Sequence, residues 1–199
     1  MRKILGCIIV IGFFLPNAVA QNHFLVELEN RTPDVKTLVM SYEGAQSIPF
    51  LAKDIKGVEH SSLDMVGKNM ILWFWKNDCP MCIGQIDALN RLTDKYGDQL
   101  QVVSFSNNTK EEILALAETT PINFPVIPNS ETLSEGPYGG DLGYPKIFIC
   151  DENGRIKWAI PEAEMRGGNF DTYNFLETLH ISLTKYCLLY TSPSPRDRG

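Results

Sequence analysis

The sequence is poor in histidine and cysteine, with 3 and 5 among 199 residues. Cys79 and Cys82 form one Cys-x-x-Cys pair, and no second pair or suitably spaced Cys/His couple completes a zinc site. Basic residues are outnumbered, 18 Lys and Arg against 24 Asp and Glu, so the electrostatic footprint of a nucleic-acid binder is missing. Gly and Pro, 15 and 12, are too few for a collagen-like chain, and 44% hydrophobic content excludes a wholly disordered one. The apolar run from Ile4 to Leu15 is too short to span a bilayer comfortably. What remains is a chain long enough to bury a core in a single domain.

Both ends stand apart from that domain. Arg2 and Lys3, the apolar run and Pro16-Asn17-Ala18-Val19-Ala20 have the three parts of a secretory signal peptide, with cleavage expected after Ala20. An uncleaved membrane anchor is the alternative. Residues 187–199 resemble a translated sequencing adapter and break the preceding amphipathic pattern; a natural disordered tail is the bland alternative. The native chain is therefore expected to continue differently after Tyr186. Four of the 18 basic residues and one of the 24 acidic ones lie in these ends, so residues 21–186 carry 14 against 23, a net charge of −9. Three cysteines remain there: Cys79, Cys82 and Cys150.

Residues 21–48 read as an N-terminal extension packed on the domain, with strand-like apolar content at Phe24–Glu29 and Val35–Tyr42. A hairpin is expected over Phe50–His60 about Lys56-Gly57, then a helix cap at Ser61/Ser62. Asn69–Trp75 is a continuous apolar run, as for a strand buried on both faces. A helix follows the cysteine pair to about Tyr96, with Ile83, Ile86, Leu89 and Leu92 at helical spacing. Gln101–Phe105 reads as a second buried strand, and Thr109 caps a helix whose Glu111 and Glu112 suit its positive end. A short strand at Phe124–Ile127 precedes a hairpin of Lys146–Cys150 and Ile156–Ile160 about Asp151–Gly154. Tyr173, Leu176, Leu179 and Leu183 mark a closing helix opened by Asn169 or Asp171. The class is mixed α/β, one domain over residues 49–186.

The chemistry concentrates at Trp73-Phe74-Trp75-Lys76-Asn77-Asp78-Cys79-Pro80-Met81-Cys82. A buried strand delivers a loop, and a helix opens at the first cysteine, where unpaired N–H groups and the helix dipole favour a thiolate. Pro80 suits the first turn, and the spacing sets Cys82 close enough for a disulfide. Cys79 would attack a partner disulfide and Cys82 would resolve the mixed disulfide. Half a zinc site and a static structural disulfide remain open as blander readings. Cys150 reads as a buried hydrophobe. His23, His60 and His180 read as structural or exposed, Trp75 as core beside the disulfide with a possible partner-facing edge, and Glu162 and Glu164 as a solvated face.

From Pro49 to about Tyr186 the chain resembles exported thioredoxin-fold thiol–disulfide oxidoreductases of the TlpA/ResA type. The residues that carry this are the Phe50–Val66 lead-in, the aromatic strand into Cys79-Pro80-Met81-Cys82, and Gly143-Tyr144-Pro145-Lys146-Ile147-Phe148-Ile149 followed by Asp151 to Gly154. The resemblance implies a thioredoxin-like fold, a central mixed sheet flanked by helices. It implies catalysis by Cys79 and Cys82, a cis Pro145 facing them, and a partner segment against Tyr144, Pro145 and Trp75, with Asp78, Pro80 and Met81 as modulators. No cofactor or metal is expected beyond the redox-active disulfide. Expected partners are protein thiols and disulfides and a redox partner protein, met by an exported monomer, periplasmic in a bacterium, with no stable membrane insertion after signal cleavage. A reductive task is the commoner one in the family. The alternative is a non-enzymatic module that presents the pair to a metal or partner, as in related exported chaperones for copper or haem. Two departures bear on potential: Asp78 stands where thioredoxins carry Trp, and the buried acid of many thioredoxins would fall at Trp73. A peroxide-reducing role lacks its Pro-x-x-x-Thr-x-x-Cys motif, since Trp75-Lys76-Asn77-Asp78 precedes Cys79.

Overall fold

The computed structural model describes residues 35–166 and 169–190. The signal-peptide pattern, His23, the strand expected at Phe24–Glu29 and the last nine residues lie outside the described residues. The first described element corrects an expectation. Val35–Tyr42 is a helix, α1, not a strand. Its β-prone composition is overridden by spacing: Val35, Leu38, Val39 and Tyr42 recur on one helical face, and that face packs on the sheet. Tyr42 meets Phe148 edge-on at 5.1 Å and donates its hydroxyl to Pro137 O at 3.0 Å.

The expected hairpin forms from β1 (Leu51–Lys53) and β2 (Glu59–Ser61), which pair antiparallel. Its turn is clipped by the buried Asp54, whose Oδ1 accepts the N–H groups of Lys56 and Val58 at 2.8 and 2.9 Å and whose Oδ2 meets His60 Nε2 at 3.0 Å. Ser61 caps a 3-10 turn, Ser62–Met65.

A five-stranded mixed sheet carries the domain, in the order β5 (Val126–Ile127), β4 (Leu100–Ser106), β3 (Asn69–Trp75), β6 (Lys146–Cys150), β7 (Ile156–Ile160). β3 pairs parallel with β4 and antiparallel with β6. Every residue of β3 is buried, because helices cover both faces. On one face Ile71, Trp73, Trp75, Ile147 and Ile149 pack with Ile86, Leu89 and Leu92 of α2 (Pro80–Tyr96) and with Leu176 and Leu183 of α6 (Thr172–Tyr190). On the other, Met70, Leu72, Phe74 and Phe148 pack with Tyr138, Leu142 and α1.

Thr109 caps α3 (Lys110–Ala117) in a full capping box with Glu112, so that acid does more than face the helix dipole. Asp171 opens α6, accepting the Asn174 N–H at 3.0 Å. That helix continues past Tyr186, the expected end of the domain, to Tyr190. Three short elements without a sequence signal complete the chain: α4 (Glu131–Glu135), a 3-10 turn at Gly140–Leu142, and α5 (Glu162–Met165).

Candidate active site

β3 and β4 run parallel and end on the same side, and the loops after them build the site, as is usual at the carboxyl ends of strands in α/β sheets. The loop after β3 is fixed to the loop after β4. Asn77 N–H donates to Asn108 Oδ1 at 2.8 Å, and Asn77 Nδ2 to Glu112 O at 3.1 Å. Cys79 is thereby held as the N-cap of α2. Its sulfur accepts the Cys82 N–H at 3.1 Å, and Pro80 fills the first helical position. Cys79 and Cys82 are joined in a disulfide, Cα to Cα 5.2 Å. The two halves differ in access: Cys82 is completely buried, whereas Cys79 is partly exposed. A thiolate on Cys79 would sit on an N–H donor and on the positive end of a seventeen-residue helix.

Across from the pair, the Tyr144–Pro145 bond is cis, and Tyr144 O lies 3.6 Å from Cys79 Sγ. Three polar groups hold the Tyr144 hydroxyl in place. Asn107 Nδ2 donates to its oxygen at 2.9 Å, Ser134 Oγ shares a hydrogen bond of 2.6 Å with it, and the phenol donates to Glu135 Oε1 at 2.6 Å. Ser134 Oγ also reaches Asn107 Oδ1 at 2.7 Å. Burial, then the Glu135 carboxylate, pushes the Tyr144 phenol up to about 12. Lys76 Nζ lies 4.5 Å and Lys146 Nζ 4.7 Å from the centre of the ring.

Lys146, next after Pro145, is fully buried. Its ammonium donates to Ser134 O at 2.5 Å and Gly139 O at 2.8 Å, tying the chain around α4 to the sheet. Burial pulls it down to about 8.

These groups border an open groove of about 800 Å³, lined among others by Cys79, Met81, Tyr144, Lys76, Glu135 and Glu162. Asp78 and Pro80 are exposed on its rim. Glu162, expected on a solvated face, is instead a groove wall, paired with Arg166 at 2.7 Å. Trp75 is core beside the disulfide, as one reading had it, and its burial corrects the other, a partner-facing edge. It has no exposed surface and stacks on Trp73 at 5.1 Å with 7° between planes. At Trp73, where a buried acid was looked for, the indole N–H donates to Gln85 Oε1 at 3.0 Å, and Gln85 Nε2 reaches the Met165 sulfur. Burial pushes the Cys150 thiol up to about 12, which keeps it protonated and inert. His60 and His180 do not line the groove.

Asn77, Asn107, Ser134, Glu135, Lys146 and Gln85 were not singled out from sequence. The asparagines carried a usable signal, as polar residues directly after the ends of parallel strands. Ser134 and Glu135 lie on a helix of five residues, too short for periodicity to reveal.

Comparison with known proteins agrees with this fold. Thioredoxin-like protein YneN of Bacillus subtilis is 29% identical over 119 residues, 58% of this chain and 69% of that one. Thiol-disulfide oxidoreductase ResA of Geobacillus kaustophilus is 28% identical over 120 residues, 59% and 68% of the two chains. The thioredoxin domain of a thiol-disulfide oxidoreductase from Bacteroides vulgatus superposes with a TM-score of 0.56 at 21% identity, covering 69% of this chain and 96% of that domain. The model of the AhpC/TSA family matches residues 44–159, more than half of the chain. With its thioredoxin-like sheet and its cysteine pair at the head of α2, the chain belongs to the AhpC/TSA family.

Proposed function

We propose that the protein is a thiol–disulfide oxidoreductase that reduces disulfides of exported protein partners, with Cys79 attacking and Cys82 resolving. The observation that carries this reading is the asymmetry of the pair. Cys79 is partly exposed and lines the groove, and its sulfur accepts an N–H at a helix N-terminus, while Cys82 is fully buried. In the reduced protein the Cys79 thiolate attacks one sulfur of the partner disulfide, forming a mixed disulfide and releasing the other partner sulfur as a thiolate. Cys82, once deprotonated, attacks Cys79 Sγ. The enzyme disulfide forms and the second partner thiolate leaves. Two electrons pass from the enzyme dithiol to the partner, and the two protons follow them. A reducing partner protein then restores the dithiol by the same exchange in reverse, so no prosthetic group takes part. Export rests on the signal-peptide pattern of residues 1–20, and the reductive direction on the resemblance to the TlpA/ResA type.

Replacement of the resolving thiol tests the roles. Cys82→Ser should accumulate a mixed disulfide between Cys79 and a disulfide-bearing partner, seen as a reducible adduct by mass spectrometry, while Cys79→Ser forms none. Adducts on Cys82 in Cys79→Ser, with none on Cys79 in the converse variant, would overturn the assignment.

A further inference from the structure

The charged residues of the groove are three acids and one base: Asp78, Glu135 and Glu162 against Lys76. The base is engaged, its ammonium lying 4.5 Å from the centre of the Tyr144 ring. Two of the acids are held in place by hydrogen bonds. Glu135 accepts the Tyr144 phenol at 2.6 Å and lies against Gly140, where a Cβ would collide with its Oε2. Glu162 lies against Gly143, where a Cβ would come within 2.7 Å of its Oε2. The two carboxylates thus lie close against the Gly140 and Gly143 backbone in the groove that Cys79 lines, Glu135 held by the Tyr144 phenol and Glu162 by Arg166. Arg166 pairs with Glu162 from a side chain that is 68% exposed and does not line the groove. Among the described residues, Glu135 is in no direct ion pair, and the buried Lys146 ammonium, which feels its charge, does not line the groove.

Resting on the exchange reaction proposed above, we propose that this groove selects partner segments with a lysine or arginine beside the reacting cysteine, the cation seated against Glu135 and Glu162. Exchange requires a partner sulfur in line with Cys79 Sγ, so residues flanking that sulfur must run along this wall. A cation there meets carboxylates already fixed, and loses little of the side-chain entropy that weakens ordinary surface pairs. An acidic segment meets the same wall as repulsion, so one feature both attracts and rejects. The partner cation acts as a point charge or through a single N–H group, since Arg166 already holds both Glu162 oxygens and the Tyr144 phenol one Glu135 oxygen.

The test uses the full chain, reduced beforehand, and short synthetic peptides closed by one disulfide that differ only in Lys, Gln or Glu next to the attacked cysteine. Second-order rate constants are read by stopped-flow tryptophan fluorescence. At low ionic strength the Lys peptide should react on the order of tenfold faster than the Glu peptide, with Gln between, and the ratio should fall toward one at about 1 M salt. The Glu135→Gln/Glu162→Gln variant should lose the preference, and Glu135→Lys should reverse it. Equal rates for the three peptides, or a preference unchanged in those variants, would overturn the inference while leaving the exchange chemistry standing. If the reduced protein reacts with none of them and Cys82→Ser captures none, both readings fall together.

Discussion

Replacing Lys146 with methionine probes the least expected group of the structure. Two effects of opposite sign are in play. The ammonium is fully buried, and burial pulls it down to about 8 from its ordinary 10.5. Between those values the unfolded chain holds more protons than the folded one, so the residue's contribution to stability rises with pH across that window. The charged form is therefore a penalty at pH 7, about 3 kcal/mol for a difference of this size. Against it stand two bonds: methionine would leave the buried Ser134 O without its donor, costing about 1–3 kcal/mol, whereas Gly139 O keeps the Leu142 N–H and loses only about 1 kcal/mol. The sum predicts that Lys146→Met costs close to nothing at pH 7, where bonds and penalty cancel, and about 3 kcal/mol above pH 10. The wild-type curve alone will not display this. The Cys150 thiol and the Tyr144 phenol, both pushed up to about 12 by burial, lower stability as the unfolded chain loses those protons above pH 9 and 10. Urea denaturation of both proteins from pH 6 to 10.5, compared as a difference, isolates the lysine. A difference that stays flat with pH, or that shrinks as pH rises, refutes the reasoning.

Other substitutions separate neighbouring groups. Trp73→Phe orphans the buried Gln85 oxygen, whereas the buried Trp75 Nε1 has no partner among the described residues, so Trp73→Phe should cost about 1–2 kcal/mol more than Trp75→Phe in chemical denaturation. Burial opposes ionisation of Asp54, but its bonds to His60, Val58 and Lys56 outweigh it and hold the carboxyl below its ordinary 3.8. Asp54→Ala should thus cost about 2 kcal/mol near neutrality, a penalty that fades as pH falls below 3.8 toward the lower folded value; a loss that persists undiminished in acid would contradict this.

The parts of the fold that could be read in advance are those where one physical signal dominates. Asn69–Trp75 is too apolar to lie anywhere but between two layers, and Thr109 with Glu112 marks a helix start in a few residues. The same reading of β3 already implied that Trp75 is enclosed, so placing it on the partner surface conflicted with the burial of its own strand. At Val35–Tyr42 composition and spacing disagreed, and spacing decided because the helix has a sheet to bury its face against. The cysteine pair and Pro145 were legible as motifs. The groove wall was not, because Glu135 and Gly140 come from short elements that Lys146, a charge inside an otherwise apolar strand, ties to the sheet through Ser134 O and Gly139 O. Nothing in a local pattern announces that such a lysine points inward.

The central claim is that Cys79 and Cys82 interconvert between dithiol and disulfide as a functional pair. Its most direct test is an equilibrium redox titration of the protein in defined thiol buffers, read by the fluorescence of Trp73 and Trp75, which pack in the same core layer as Cys82. A single reversible two-electron transition is expected, with a midpoint near the ~−270 mV of thioredoxin, as a reductant requires. A midpoint near ~−120 mV would reverse the direction of transfer. The absence of any reversible transition would contradict the account outright.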